Sequence, residues 1–124
     1  MNPQFAEKII EAKKAIQKVK IVKDNGRVDS VFKGYIASFG PSLVANGLLP
    51  AVLIYEKEEK EKGKVTQAIR YLLDSKETGK LSEYLQKENR YKNYQILREV
   101  ADYVIALKLA LSMFTLEENG EAKN

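Results

Sequence analysis

The chain has 124 residues, of which 44% are hydrophobic and 31% are charged, and its formal net charge is +4. This length suits one domain with one core, and the composition is that of a folded chain. The sequence contains no histidine and no cysteine, which removes the usual physiological base, the commonest transition-metal ligands and any thiol nucleophile. We therefore expect a soluble cytoplasmic protein that is not an enzyme and holds no metal or cofactor.

The first part of the chain shows two helical stripes of apolar residues. The stripe over residues 5–19 predicts an amphipathic helix that starts at residues 2–3 (Asn-Pro) and ends at the turn residues 24–26. A second stripe over residues 28–39 predicts another helix, which Gly40-Pro41 should stop. Gly34 lies inside this second helix, where glycine costs about 1 kcal/mol relative to alanine. It indicates a close approach by another helix, either within the domain or at an interface.

A compact motif follows, in which each residue has a structural role. Pro41 should start a short helix, and Asn46 and Gly47 should end it, because both residue types accept the left-handed backbone of a helix C-cap. Leu48 should fold back as the hydrophobic partner of this cap. Pro50 should then open an almost wholly apolar helix.

The rest of the chain continues the helical pattern, and no alternation typical of a strand occurs. The charged run 56–64 is expected to be a frayed helix end or an exposed loop. Further helices are predicted at residues 65–73, 81–88 and 91–116, before a disordered polar tail at 117–124. The fold class is therefore all-α: a compact single-domain bundle of about six to seven helices over residues 1–116.

Paired carboxylates provide the one enzymatic alternative. Glu56 and Glu59, and likewise Glu99 and Asp102, lie three residues apart on one helical face. Carboxylates alone suffice for magnesium, and all-helical nucleotide pyrophosphatases combine two such motifs. The first pair lies in a lysine-rich run, so a solvated charge cluster is the favoured interpretation.

Lysines off the apolar stripe of the first helix predict contact with a polyanion. Lys14 and Lys18 form a like-charge pair at four-residue spacing, which an anion would relieve. Lys13 and Lys20 lie close by. Tyr91 and Tyr94 stand beside basic residues and could stack on bases, but half-buried core positions are the favoured interpretation for both.

Two segments together resemble a known family. Residues 35–55, which contain PSLV at 41–44 and NGL at 46–48, resemble the small subunit of the type III-B CRISPR effector, the Cmr complex. The last helix also fits, with a tyrosine, a polar patch, an aromatic and a Leu-Lys pair at family positions. These residues are Tyr94, Arg98-Glu99, Tyr103 and Leu107-Lys108.

The resemblance implies a non-catalytic subunit of an antiviral effector. Such subunits stack with copies of themselves, contact the other Cmr subunits, and flank the guide RNA and target RNA; no membrane and no small-molecule substrate are implied. Lysines would then contact backbone phosphates. The candidate RNA-binding residues are Lys13, Lys14, Lys18, Lys20, Lys23, Arg27, Lys33 and Lys108. The magnesium-dependent hydrolase and a stand-alone helical adaptor remain as alternatives.

Overall fold

The structure, a computed structural model, describes residues 3–58, 60–74 and 79–118. Within these ranges six α-helices and one 3-10 segment confirm the predicted all-α class. The elements in chain order are α1 (Pro3–Lys18), β1 (Arg27–Asp29), α2 (Val31–Asn46), α3 (Leu48–Glu58), α4 (Lys60–Leu73), α5 (Leu81–Gln86), the 3-10 segment (Lys87–Lys92), α6 (Tyr94–Leu111) and β2 (Thr115–Glu117). In the described part of the chain, no helix is both long and apolar enough to span a bilayer.

Helix α1 begins at Pro3 but ends at Lys18, earlier than the predicted turn at residues 24–26. The chain leaves the helix at Lys20, whose φ of 63° is left-handed. Two backbone bonds close the end: Lys20 donates to Gln17 at 3.2 Å and Ile21 donates to Ile16 at 3.0 Å. This pair of bonds is a Schellman cap, which lysine forms here in place of glycine.

A two-stranded parallel sheet is the part of the fold that the sequence pattern did not predict. β1 pairs with β2 so that Val28 lies opposite Leu116, and Val22 forms an antiparallel bridge to Val28. The Ser30 amide donates to the Glu117 carbonyl at 2.8 Å. Glu117 thus belongs to a strand, one residue beyond the predicted domain boundary. Residues 119–124 lie outside the described residues, so the disordered tail stays a prediction.

Helix α2 is continuous from Val31 to Asn46, so the prediction that Gly40-Pro41 stops it was wrong. Pro41 is exposed inside the helix, while Phe39 and Leu43 on either side of it are buried. Burial of these two side chains stabilises the helix enough to offset the hydrogen bond that proline cannot donate.

The end of α2 uses cap chemistry. Gly47 has a φ of 89°, and its amide donates to the Leu43 carbonyl at 2.9 Å. Asn46 Nδ2 donates to Ser42 Oγ at 3.2 Å, and Leu48 is buried. The NGL sequence therefore positions α3 against α2 and has a structural role here.

Helices α3 and α4 differ from the predicted pattern at two places. α3 begins at Leu48, so Pro50 does not open it; Pro50 is accommodated because amides of the first helical turn need no partner within the helix. The run 56–64 is largely helical, with α3 reaching Glu58 and α4 starting at Lys60. A loop or frayed end was therefore the wrong prediction for the described residues of this run.

Helix α6 starts at Tyr94 and ends at Leu111, so it is shorter at both ends than predicted. The Asn93 side chain caps it by accepting from the amides of Gln95 and Ile96 at 2.8 and 3.1 Å. Helix α6 packs against α1, α2 and α4, which makes it the centre of the bundle.

The core lies between these helices and includes side chains from α1 to α6. Phe39 is fully buried and meets Tyr55 edge-on, with ring centroids 4.9 Å apart. The Tyr55 hydroxyl donates to the Tyr35 carbonyl at 2.7 Å, so this buried polar group is satisfied. Truncating Phe39 to alanine would cost about 3–5 kcal/mol, a large share of the stability of a small domain.

Candidate RNA-contact surface

The lysines of α1 fall into two environments. Lys13 is half-buried, whereas Lys14 and Lys18 are exposed on the outer face of the helix. Lys14 Nζ lies 3.2 Å from Glu11 Oε2, so a carboxylate stands beside the like-charge pair of Lys14 and Lys18. An exposed ion pair contributes between 0 and about 1 kcal/mol, which a phosphate group can readily replace.

A cleft of about 360 Å³ opens where α1 ends. It brings Lys20 and Lys23, both expected to contact RNA, together with Lys64 of α4. The remaining lining residues are Ile21, Asp29, Val31, Phe32, Tyr35 and Glu61. Three lysines line this one cleft; two of them follow the end of α1 and one comes from another helix.

Lys64 was not predicted as a site residue, because it lies in the charged run 56–64, which was expected to be a frayed helix end or an exposed loop. Its Nζ donates to the Lys20 carbonyl at 3.1 Å and lies 3.8 Å from Glu61 Oε1. The carbonyl it contacts belongs to the left-handed residue of the α1 cap. Lys64 therefore stabilises the local backbone and also adds a positive charge to the cleft.

Lys23 is joined to the end of the chain by an ion pair. Its Nζ donates to Glu117 Oε1 at 3.0 Å, which connects the loop after α1 to β2. This hydrogen bond from Lys23, together with the positive charges of Lys23 and Arg27, lowers the pKa of the Glu117 carboxyl. Glu117 is therefore ionised at neutral pH and competes with any phosphate for Lys23.

The other candidate cations have different positions. Arg27 is exposed in β1, and its amide donates to Asn25 Oδ1 at 2.9 Å. Lys33 is exposed in the first turn of α2, next in sequence to the cleft residues Val31 and Phe32. Lys108 is exposed in the last turn of α6 and does not line the cleft that holds Lys20 and Lys23.

Comparison with known proteins decides what this basic helical domain is. Residues 9–115 match the family model described as CRISPR-associated protein (Cas_Cmr5). The chain belongs to this family. A Cas_Cmr5 protein is the small subunit of the type III-B Cmr complex, which acts in CRISPR defence, and this subunit is non-catalytic. No curated protein and no solved structure matches the chain.

One carboxylate of each pair in this Cas_Cmr5 protein has a structural partner. Glu56 accepts from the Ser82 amide at 2.9 Å and from Ser82 Oγ at 2.6 Å, so it caps the first turn of α5. Asp102 Oδ2 lies 3.2 Å from Lys8 Nζ, an ion pair between α6 and α1. Glu59 lies outside the described residues. Among those described, no group of three acidic side chains gathers as a metal site would require.

Tyr103 lies beside the Asp102–Lys8 pair and is half-buried. Burial raises the pKa of its hydroxyl, and the negative charges of Glu99, Glu11 and Asp102 raise it further. The Lys8 ammonium lies 5.3 Å from the centroid of the Tyr103 ring. The phenol is therefore neutral at physiological pH and serves to pack α1 against α6.

The two tyrosines at the start of α6 differ. Tyr91 is half-buried, as predicted for a core position, but Tyr94 is 69% exposed, so the core prediction was wrong for Tyr94. Tyr94 is the first residue of α6, one position after the cap residue Asn93.

Proposed function

We propose that this protein is the small subunit that stacks beside the guide–target RNA duplex of a type III-B effector and contacts its phosphates through lysines. The observation that carries the proposal is the cleft at the end of α1, where Lys20, Lys23 and Lys64 converge. The family membership supports a place in the complex. The other Cmr subunits, further copies of this chain, the guide RNA and the target RNA are its partners.

The charge balance of the cleft favours a polyanion over a small anion. Asp29 and Glu61 also line the cleft, and Glu117 holds Lys23, so the lysines are partly neutralised in the free protein. A single phosphate would gain little binding free energy, because these carboxylates compete with it for the lysines. A nucleic acid presents many phosphates at once and releases counterions for each contact, so its binding adds over several lysines.

The kind of cation also suits a subunit that must accept any guide sequence. Lysine ammonium groups act as mobile point charges, which hold phosphates without reading bases. Of the candidate residues, only Arg27 has a guanidinium group. The α1 face and the cleft should therefore contribute affinity that does not depend on sequence.

An apolar stripe along the second half of α6 and the turn after it supports the proposed stacking. Ile105, Leu109 and Met113 follow one another at four-residue steps and are 49%, 38% and 50% exposed. A contiguous apolar stripe exposed on a small domain marks an interaction surface. We assign it to contact with a neighbouring copy in the complex.

The test of phosphate contact uses the assembled complex, because an isolated subunit offers too few contacts. Replacing Lys14 and Lys18 by glutamine should weaken RNA retention and reduce the slope of log affinity against log salt by about 1.8, since each duplex phosphate contact contributes about 0.9. A second double variant, Lys20→Gln with Lys23→Gln, should have a comparable effect at the cleft.

The matched control replaces Lys57 and Lys87, which are exposed on α3 and after α5, by glutamine. It removes the same charge from the protein and should leave the salt slope unchanged. Retention that stays the same across salt for both test variants would contradict the phosphate proposal. Purification of the complex at native levels should also recover guide RNA, which a stand-alone adaptor would not.

A further inference from the structure

Tyr94 is a large aromatic side chain held in a fixed place and left in solvent. It is 69% exposed, although it is the first residue of the central helix α6. The preceding Asn93 caps the helix with two hydrogen bonds from the amides of Gln95 and Ile96, so the backbone at Tyr94 is well defined. An exposed ring on an ordered backbone loses little conformational entropy when a ligand covers it.

An arginine lies beside this ring, and a lysine precedes it by two positions in the sequence. The Arg98 guanidinium carbon lies 5.9 Å from the Tyr94 ring centroid, one helical turn away. Lys92 Nζ lies 5.8 Å from the centroid of the Tyr91 ring on the other side of the cap residue. Residues 62–98 carry nine basic and four acidic side chains, so Tyr94 lies in a basic segment of the chain.

Comparison with Tyr84 shows what is unusual about Tyr94. Tyr84 is half-buried, and the guanidinium carbons of Arg70 and Arg90 lie 4.6 and 4.2 Å from its ring centroid. That ring is used inside the protein to join α4, α5 and the 3-10 segment. Tyr94 has one guanidinium at a longer distance and most of its surface in water, so its ring remains available to a ligand.

The position of Tyr94 separates it from the lysine cleft. The cleft includes Asp29 of β1, which pairs with β2 just beyond the far end of α6. Helix α6 has 18 residues, so Tyr94 lies about 25 Å from that end at 1.5 Å per residue. Any contact at Tyr94 is therefore additional to the phosphate contacts of α1 and the cleft.

We propose that Tyr94 and Arg98 form a stacking platform for an unpaired nucleobase of the bound RNA. Every base has a π-face, so an aromatic ring beside a guanidinium binds bases without reading their identity. Lys92 and Arg98 would hold the phosphates that flank the stacked base. This inference rests on the proposed function, because it requires RNA along this subunit.

The surroundings favour RNA over a protein partner. The neighbours of Tyr94 in sequence, Lys92, Asn93, Gln95 and Arg98, are all exposed and polar. Protein interfaces place their tyrosines in a desolvated, largely apolar centre. The exposed apolar stripe of α6 starts at Ile105, three turns further along the helix.

Photocrosslinking of the assembled complex tests the contact directly. The complex is loaded with RNA that carries 4-thiouridine, irradiated and digested with trypsin. Cleavage after Lys92 and Arg98 releases residues 93–98 as one peptide, in which Tyr94 is the sole aromatic residue. We expect a nucleotide adduct on this peptide. An RNA-bound complex that gives adducts on other peptides of the chain but none here would overturn the inference.

Variants of Tyr94 give the second readout. Tyr94→Leu should weaken RNA retention roughly 5- to 150-fold, the range that corresponds to loss of one base–aromatic stack, without changing the salt slope. Tyr94→Phe keeps the ring and should retain binding, which makes it the matched control. Loss with both variants would overturn the stacking role.

The outcomes separate this inference from the proposed function. If Tyr94→Leu leaves retention unchanged while the Lys14/Lys18 and Lys20/Lys23 variants weaken it, the platform is wrong and the proposed function stands. If none of these variants affects retention, both fail. If Tyr94→Leu lowers the number of copies or other subunits in the purified complex, Tyr94 contacts protein and the inference is overturned.

Discussion

Lys20 combines a strained backbone with a charge that the proposed function uses. Its φ of 63° costs a residue with a Cβ about 1–2 kcal/mol, and lysine rather than glycine occupies the position. Lys20 lines the cleft, and its carbonyl accepts a hydrogen bond from Lys64. The side chain is therefore kept at the expense of stability, a pattern typical of functional positions.

Lys20→Gly should increase the free energy of unfolding by about 0.5–1 kcal/mol, because relief of the left-handed strain exceeds the extra entropy of glycine in the unfolded chain. Urea denaturation of the purified protein measures this. Lys20→Ala removes the same charge but keeps a Cβ, so it should give no gain. Equal stability of the glycine and alanine variants would show that the backbone strain is not the cause.

Glu117 links stability to pH through its contact with Lys23. The pKa of its carboxyl is lowered in the folded state, so its contribution is present above the ordinary value of 4.5 and is lost as pH falls through the folded value. The stability difference between the natural protein and Glu117→Gln should therefore shrink on acidification. Denaturation curves recorded from neutral pH to well below 4.5 test this, and a difference that is constant over the range would refute it.

The same substitution should strengthen RNA retention by the complex, because it releases Lys23 and removes a negative charge near the cleft. Glu118→Gln is the matched control, since Glu118 is the exposed next residue. It should have the smaller effect.

At the scale of single elements, sequence patterns located helices better than their ends. The apolar stripe correctly placed α1. The helix ends at the left-handed backbone of Lys20, however, and not at the turn residues 24–26. Pro41 was expected to break α2, yet burial of Phe39 and Leu43 keeps the helix continuous. The helix propensity of single residues is small compared with the free energy of tertiary packing. Packing against neighbouring elements therefore decides where these helices end.

Gly34 lies inside helix α2 with open space beside it. A Cβ added at Gly34 would meet no atom within 4 Å, so close packing inside the domain does not explain this residue. The interface interpretation of the sequence remains a prediction.

Gly34→Ala should raise the free energy of unfolding by about 1 kcal/mol, the helix-propensity difference between the two residues. Gly47→Ala, in contrast, should lower it by about 1–2 kcal/mol because Gly47 has a φ of 89°. Thermal or urea denaturation of both variants gives the comparison. A destabilised Gly34→Ala would mean that the helix does not tolerate a side chain at this position.

At the scale of the whole molecule, the two ends of α6 have different surfaces. The start of the helix carries Tyr94 and Arg98, whereas its end and the turn that follows carry the stripe of Ile105, Leu109 and Met113. The proposed function requires two such surfaces, one for a neighbouring copy and one for RNA. The bundle separates them by the length of one helix.

Leu109→Glu should leave the folding of the isolated protein nearly unchanged, within about 0.5 kcal/mol, because Leu109 is 38% exposed. In the complex it should reduce the number of small-subunit copies, which native mass spectrometry counts. Ile10→Glu is the matched control, since Ile10 is 51% exposed among charged residues of α1. Full copy number with Leu109→Glu would place the stacking contact elsewhere.

The sequence by itself determined the fold class, because helical periodicity and cap chemistry are local and repeat along the whole chain. It also indicated the family through residues 35–55 and the last helix. Its expectation that Lys20 and Lys23 contact RNA stays a prediction. Only the tertiary structure decided that Lys64 joins these two lysines, since contact between residues 44 positions apart leaves no local trace.

The small sheet was also absent from the sequence prediction, because it forms between residues that are far apart in the chain. β1 and β2 have three residues each, too few for a visible alternation, and they pair across 88 positions of sequence. The exposure of Tyr94 also depends on where neighbouring helices end. Helical spacing along the sequence does not contain this information, so it predicted a core residue. Local physics therefore specifies the helices of this protein, and packing between distant segments specifies the surface that meets RNA in the proposed function.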